Sequence, residues 1–116
     1  MGEIDGLTDL QLGVVRVLWE AGEATAAEVR CALAPERRLA PTTVATLLAR
    51  LERKGLVAHR AEGRQYVFRA AVSEAEVRRA SVEGVVRRFF GGDPEALARY
   101  LSDGGGAAGE GRSGEG

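Results

Sequence analysis

Apolar residues recur at three- and four-residue steps in three successive stretches of the chain, and then the step shortens to two. In the first stretch Leu10, Val14, Val17 and Leu18 share a stripe, with Trp19 expected to close the core. In the second the stripe is Ala26, Val29, Ala32 and Leu33, and in the third Val44, Leu47, Leu48 and Leu51. Each spacing predicts a helix with one buried face. The ends are marked as well. "TDLQ" from Thr8 and "TAAE" from Thr25 place Thr three residues before Gln11 and Glu28, the capping-box spacing. Gly22 ends the first helix, and Pro35 ends the second because it cannot continue one. Pro41 suits the first position of the third helix and Gly55 its C-terminal stop, with Arg53 and Lys54 complementing the dipole.

After Gly55, "LVAHRAEGRQYVFRA" alternates, with Val57 and His59, then Gln65, Val67 and Arg69 set against Tyr66 and Phe68. The central "AEGR" (Ala61 to Arg64) predicts a β-hairpin. Tyr66 and Phe68 are expected in the core rather than stacked on bases. "SEAE" from Ser73 to Glu76 is a third capping box and opens a fourth helix, stopped by Gly91 and Gly92. Asp93 caps a short fifth helix with Pro94 at its first position. The glycine-rich remainder has no apolar pattern and is expected to be disordered.

Three helices, a hairpin and two further helices predict a mainly α fold with a small β-hairpin, the winged helix-turn-helix. The expected organisation is a winged-helix domain over residues 1–72, a helical dimerisation arm over 73–102 and a Gly-rich tail over 103–116. The stretch from Ala34 to Ala40 is longer than the tightest helix-turn-helix connection, which winged versions tolerate. The arm's apolar residues Val82, Val85, Val86, Phe89 and Phe90 form a face too large to leave in water. It packs on the winged domain or meets a second copy, and the dimer is the favoured reading.

Composition narrows the function. The chain has 116 residues, 45% of them hydrophobic, enough for a packed core. No apolar run approaches the roughly 20 residues that span a bilayer, so no membrane insertion is expected. "MGEIDGLTDLQ" has neither the basic start nor the apolar stretch of a secretory signal, and Gly6 stands where myristoylation wants Ser or Thr. A single cysteine excludes an internal disulfide and is consistent with a reducing cytoplasm; Cys31, among apolar positions, is expected to be a small core residue. With one histidine and one cysteine no usual four-ligand zinc site forms, and no cofactor is implied. No catalytic constellation is present: Gly104–Gly106 lacks the strand before it and the helix after it of a phosphate-cradling loop.

The net charge is −1, but it is unevenly spread. Eight basic and three acidic residues between Glu36 and Arg69 give that segment +5 and leave −6 for the rest. A local basic surface is sufficient for phosphate binding. In a helix-turn-helix the second helix of the motif lies in the major groove with its N-terminal residues at the base edges. The third helix presents Thr42, Thr43 and Thr46 there, short hydroxyls that let the backbone approach, and Arg50 one turn further on. These four are the candidate base-reading residues. Thr25, Arg53, Lys54, Arg60 and Arg64 are the candidate phosphate contacts, with Arg37 and Arg38 weaker ones of the same kind. The expected partners are double-stranded DNA and a second copy of the chain. A dimer would read a palindrome with half-sites about 34–36 Å apart, or a multiple of that. The competing reading is a winged-helix module for protein–protein contact without DNA, supported by the negative overall charge.

The segments "LTDLQLGVVRVLWEAGEATAAEV", "TTVATLLARLERKGLV", "EGRQYVFRA" and "FFGGDPEAL" occur in this order. In them the chain resembles the BlaI/MecI/CopY penicillinase-repressor family of transcription regulators. The resemblance implies a homodimeric, cytoplasmic repressor on a palindromic operator, bound through Thr42, Thr43, Thr46 and a wing around Arg64. It also implies a membrane sensor protease as a partner that triggers cleavage in the arm. Two departures stand out. A glycine tail replaces the family's last acidic helix, and "ARYLS" stands where the penicillinase repressors carry an Asn-Phe cleavage pair. The C-terminal cysteine cluster of copper-responsive relatives is absent as well.

Overall fold

The computed structural model describes residues 7–104. The elements are α1 (Asp9–Ala21), β1 (Ala24–Thr25), α2 (Ala26–Leu33), α3 (Pro41–Arg53), β2 (Val57–Glu62), β3 (Gln65–Ala70), α4 (Glu74–Phe89) and α5 (Pro94–Ser102). They fall into two compact units, one up to Arg78 and one from Arg79 onward, so the division lies within α4. The glycine tail expected to be disordered lies, apart from Asp103 and Gly104, outside the described residues.

The helix starts follow from side chains that take up otherwise unpaired N–H groups. Thr8 and Thr25 each accept from the backbone three residues on, while Gln11 and Glu28 accept from the caps' own N–H, completing both capping boxes. Ser73 and Glu76 repeat the arrangement at α4, at 2.8 and 3.0 Å. Asp93 caps α5 by accepting from the Glu95 N–H at 3.0 Å. The end of α3 is a Schellman motif. The Leu56 N–H donates to the Leu51 carbonyl and the Gly55 N–H to that of Glu52, with Gly55 at φ +83°. Leu51 and Leu56 lie together in the core, which fixes the angle at which the chain leaves α3 for the wing.

The core of the first unit joins Val14, Val15 and Leu18 of α1, Val29 of α2, Val44, Leu48 and Leu51 of α3 and the wing's Leu56, Val57 and Phe68. Leu47 and Trp19 pack against it partly buried. Trp19 also donates from Nε1 to the Val72 carbonyl at 2.9 Å, tying α1 to the segment that follows the wing.

The sheet differs from the expected two-stranded hairpin. It has three antiparallel strands in the order β1-β3-β2, with Ala24 opposite Phe68 and Thr25 opposite Val67. The hairpin itself pairs from Val57↔Ala70 to Glu62↔Gln65 and turns through Gly63 and Arg64, with Gly63 at φ +63°. A positive φ at the first turn position alone is the pattern of a type II′ hairpin.

Three expected core positions are corrected. Cys31 is exposed. It lies about 200° around the helix from buried Val29 at 100° per residue, on the far side of α2. Ala32 is exposed too, at the edge of the same buried face. Tyr66 is 57% exposed, whereas Phe68 is buried as expected. Tyr66 pairs with Ala61 next to the hairpin turn, where the strands are exposed. Val67 and Phe68, adjacent on the central strand β3 and so pointing to opposite faces, are both buried, Phe68 in the main core cluster.

Candidate nucleic-acid interface

α3 is built to leave its front open. Its N-cap, Ala40, makes no side-chain cap bond, and Pro41 occupies the first position without an N–H to satisfy. The N–H groups of Thr43 and Val44 both turn back to the Ala40 carbonyl, at 3.0 and 3.2 Å. Around the axis Val44, Leu48 and Leu51 point into the core, all at 0% exposure. Thr42, Thr43, Thr46, Arg50 and Arg53 are all exposed, within an arc of about 100° on the opposite side. The structure therefore brings all four base-reading candidates onto one solvent-facing stripe, with Arg53 at its far end.

The phosphate candidates are placed less uniformly. Arg64 sits in the wing's turn, exposed. Among the described residues Arg50, Arg53 and Arg64 form no side-chain hydrogen bond or ion pair. Lys54 is half-buried at the end of α3. Thr25 is half-buried, and its hydroxyl already accepts the Glu28 N–H as the cap of α2. Arg60 is engaged. Its Nη2 and Nε lie 2.9 and 3.3 Å from the Glu23 carboxylate, and its Nη1 lies 3.6 Å from Glu62. The hydrogen bond from Arg60 holds Glu23 below the usual carboxylate range, and the same bond holds Arg60 above its ordinary value. Glu23 is the residue that reading along the chain missed. It lies 37 positions from Arg60, and no local pattern links them.

The wing is also tied to α3. His59 of β2 has Nδ1 at 2.7 and 2.9 Å from the two Glu52 oxygens, so a bond crosses from strand to helix. Arg30 of α2 donates to the Leu39 carbonyl at 2.7 Å and anchors the loop that carries Arg37 and Arg38. Both of those arginines are exposed.

In the second unit the five dimerisation candidates do not share one open face. Val82 and Phe89 are 45% and 71% exposed, Val85 and Phe90 are half-buried, and Val86 is 8% exposed. Phe90 packs against Tyr100 of α5 with ring centroids 5.6 Å apart. The open apolar surface includes Tyr100 and Leu101, at 45% and 63%, which the sequence reading had not singled out. Their spacing from Leu97 in "ALARYL" is the signal that marks them.

Among the described residues no helix is long and apolar enough to cross a membrane, and no cluster of three or more His, Cys, Asp or Glu could hold a metal.

Three helices, the last with a polar outward stripe, followed by a hairpin braced against it, define a winged helix-turn-helix protein. The penicillinase repressor of Bacillus licheniformis is 29% identical over 92 residues, covering 79% of this chain and 72% of that one. The solution structure of the DNA-binding domain of the repressor BlaI is 32% identical with a TM-score of 0.56, covering 63% of this chain and 89% of that domain. The monomeric form of Bacillus licheniformis BlaI, solved in complex with the blaP half-operator, is 31% identical with a TM-score of 0.52, covering 60% of this chain and 85% of that one. The penicillinase repressor family model matches residues 7–108, and the chain belongs to that family. It is a family of repressors, not of enzymes.

Proposed function

We infer that this chain is a sequence-specific DNA-binding transcriptional repressor, acting in the cytoplasm as a homodimer on a palindromic operator. The observation that carries the reading is the α3 stripe of Thr42, Thr43, Thr46 and Arg50, exposed opposite a fully buried face. A helix in the major groove needs this division between a packed side and a short, hydrogen-bonding side. Membership of a repressor family, and a half-operator complex of a relative with the same fold, support it. Arg53, Lys54 and Arg64 serve as phosphate contacts that set register rather than sequence, and Thr25 does so at the start of α2. Arg60 joins them only by leaving Glu23.

Mobility shifts on fragments of the source genome, repeated at rising salt, test the reading. Binding is expected at low salt and weakens steeply as salt rises, because phosphate contacts release counterions. Arg64→Ala weakens all sequences alike and lowers the salt slope on a palindrome by about 2, one contact for each protomer, whereas Thr46→Ala alters base preference. Failure to bind any fragment at low ionic strength overturns the reading and leaves a protein-interaction module. As for release, the family resemblance implies a membrane sensor protease, but no asparagine occurs in the 116 residues, so an Asn-Phe cut within them is impossible. A protease gene beside this one would point to a different cleavage pair.

A further inference from the structure

A cavity of about 490 Å³ opens between the first turn of α2, one side of α3 and a face of the wing. All its lining residues belong to the unit that ends at Arg78. One wall is small, built from Ala27, Ala45 and Ala49, and the facing wall is aromatic. His59 stands 4.4 Å from Tyr66 and 5.6 Å from Phe68 between ring centroids. One acid lines the cavity, Glu52, and neither lysine nor arginine does, although the segment from Glu36 to Arg69 carries +5.

These features define a ligand. A slot between methyl groups and tilted rings accepts a flat apolar group, and its neutral donors, the Thr25 hydroxyl and the Gln65 amide, offer a phosphate no lysine or arginine. Aromatic faces attract a cation, and a carboxylate with no lysine or arginine beside it in the lining does the same, while both disfavour an anion. His59 donates to Glu52 from Nδ1, which orients the carboxylate and leaves its oxygens with further acceptor capacity. On α3 the cavity residues Ala45, Ala49 and Glu52 follow an i, i+4, i+7 stripe, about a quarter turn from the middle of the Thr42–Arg53 stripe. The ligand therefore needs none of the α3 residues offered to DNA; of the lining, Thr25 alone is also a phosphate candidate.

We propose that this cavity binds a small organic cation carrying an aromatic ring. The ring lies against His59 and Tyr66, and the charge sits beside Glu52. Such a ligand lies between α3 and the wing. On the DNA-binding reading, which this consequence alone rests on, its occupancy adjusts the spacing of the two elements that hold the duplex.

The test is a titration of the full chain with benzyltrimethylammonium, without DNA, followed through the alanine methyl resonances. Saturable shifts are expected at Ala45 and Ala49. Glu52→Gln and Tyr66→Ala each weaken binding about tenfold, the loss of one favourable charge or ring contact. Neopentylbenzene, the uncharged isostere, binds more weakly by a similar factor, and benzoate produces no shift. Ala49→Leu fills the slot, keeps the charge and abolishes binding; thermal melts establish that each variant is folded. Equal binding of the neutral isostere, or unchanged binding by folded Glu52→Gln, overturns the cation assignment. Shifts scattered over the chain, unchanged binding by Ala49→Leu, or no saturation up to about 10 mM overturns the site. Because DNA is absent from this titration, its failure leaves the proposed function standing.

Discussion

At the scale of single residues, the Glu23–Arg60 pair separates what charge counting reads from what folding makes of it. Arg60 contributes to the +5 of its segment, but its guanidinium is held by a carboxylate 37 positions earlier. The folded state lowers the Glu23 pKa through that hydrogen bond, so the pair stabilises at neutral pH and the contribution fades as pH falls through the carboxylate range. The melting temperatures of the wild type and Glu23→Gln are therefore expected to converge on acidification, and also at high salt, because both partners are exposed. Glu23→Gln also releases Arg60. If the wing follows the DNA backbone, the variant's salt slope steepens by about 1 per protomer, about 2 on a full palindrome, while its sequence preference stays the same. The threonines and arginines of α3 were legible because they depend on helical period alone. The state of Arg60 depends on a contact across the sheet, which no local pattern encodes. Cys31 was legible in principle, since helix geometry sets it opposite Val29, but its apolar neighbours masked that placement.

At the scale of elements, the termini carry the most information per residue. All three capping boxes appear where a Thr or Ser precedes Gln or Glu by three positions. Thr8→Ala is expected to cost about 1 kcal/mol in urea unfolding, the usual loss on removing such a cap. Two glycines give opposite predictions. Gly55 lies at φ +83°, where a side chain is strained, so Gly55→Ala costs about 1–2 kcal/mol. Gly13 lies inside α1, and an added Cβ would meet Leu33 at 3.6 Å, an ordinary contact. Gly13→Ala is therefore expected to stabilise by about 0.5–1 kcal/mol. The element the sequence concealed is β1. Its two residues are too few to show alternation, and it exists because β3 offers a free edge to the chain between α1 and α2.

At the scale of the whole molecule, the units up to Arg78 and from Arg79 differ in how much apolar surface they leave open. The second exposes Val82, Phe89, Tyr100 and Leu101. If these form the homodimer's seam, Phe89→Glu shifts sedimentation toward the monomer at concentrations where the wild type pairs. The variant then loses far more affinity for a full palindrome than for a half-site. The stripe read from the sequence included Val86 and Phe90, which their own chain largely covers; periodicity finds an apolar face without telling which neighbour occupies it. The bond from Trp19 to the Val72 carbonyl has a practical result as well. The only indole in the chain is clamped inside the first unit, so its fluorescence reports that unit's unfolding with no contribution from the arm. Tyr100 lies in the second unit and Tyr66 in the first, so in Tyr66→Phe the tyrosine emission comes from the second unit alone, and comparing it with the indole's during a denaturant ramp would show whether the halves melt together or in turn.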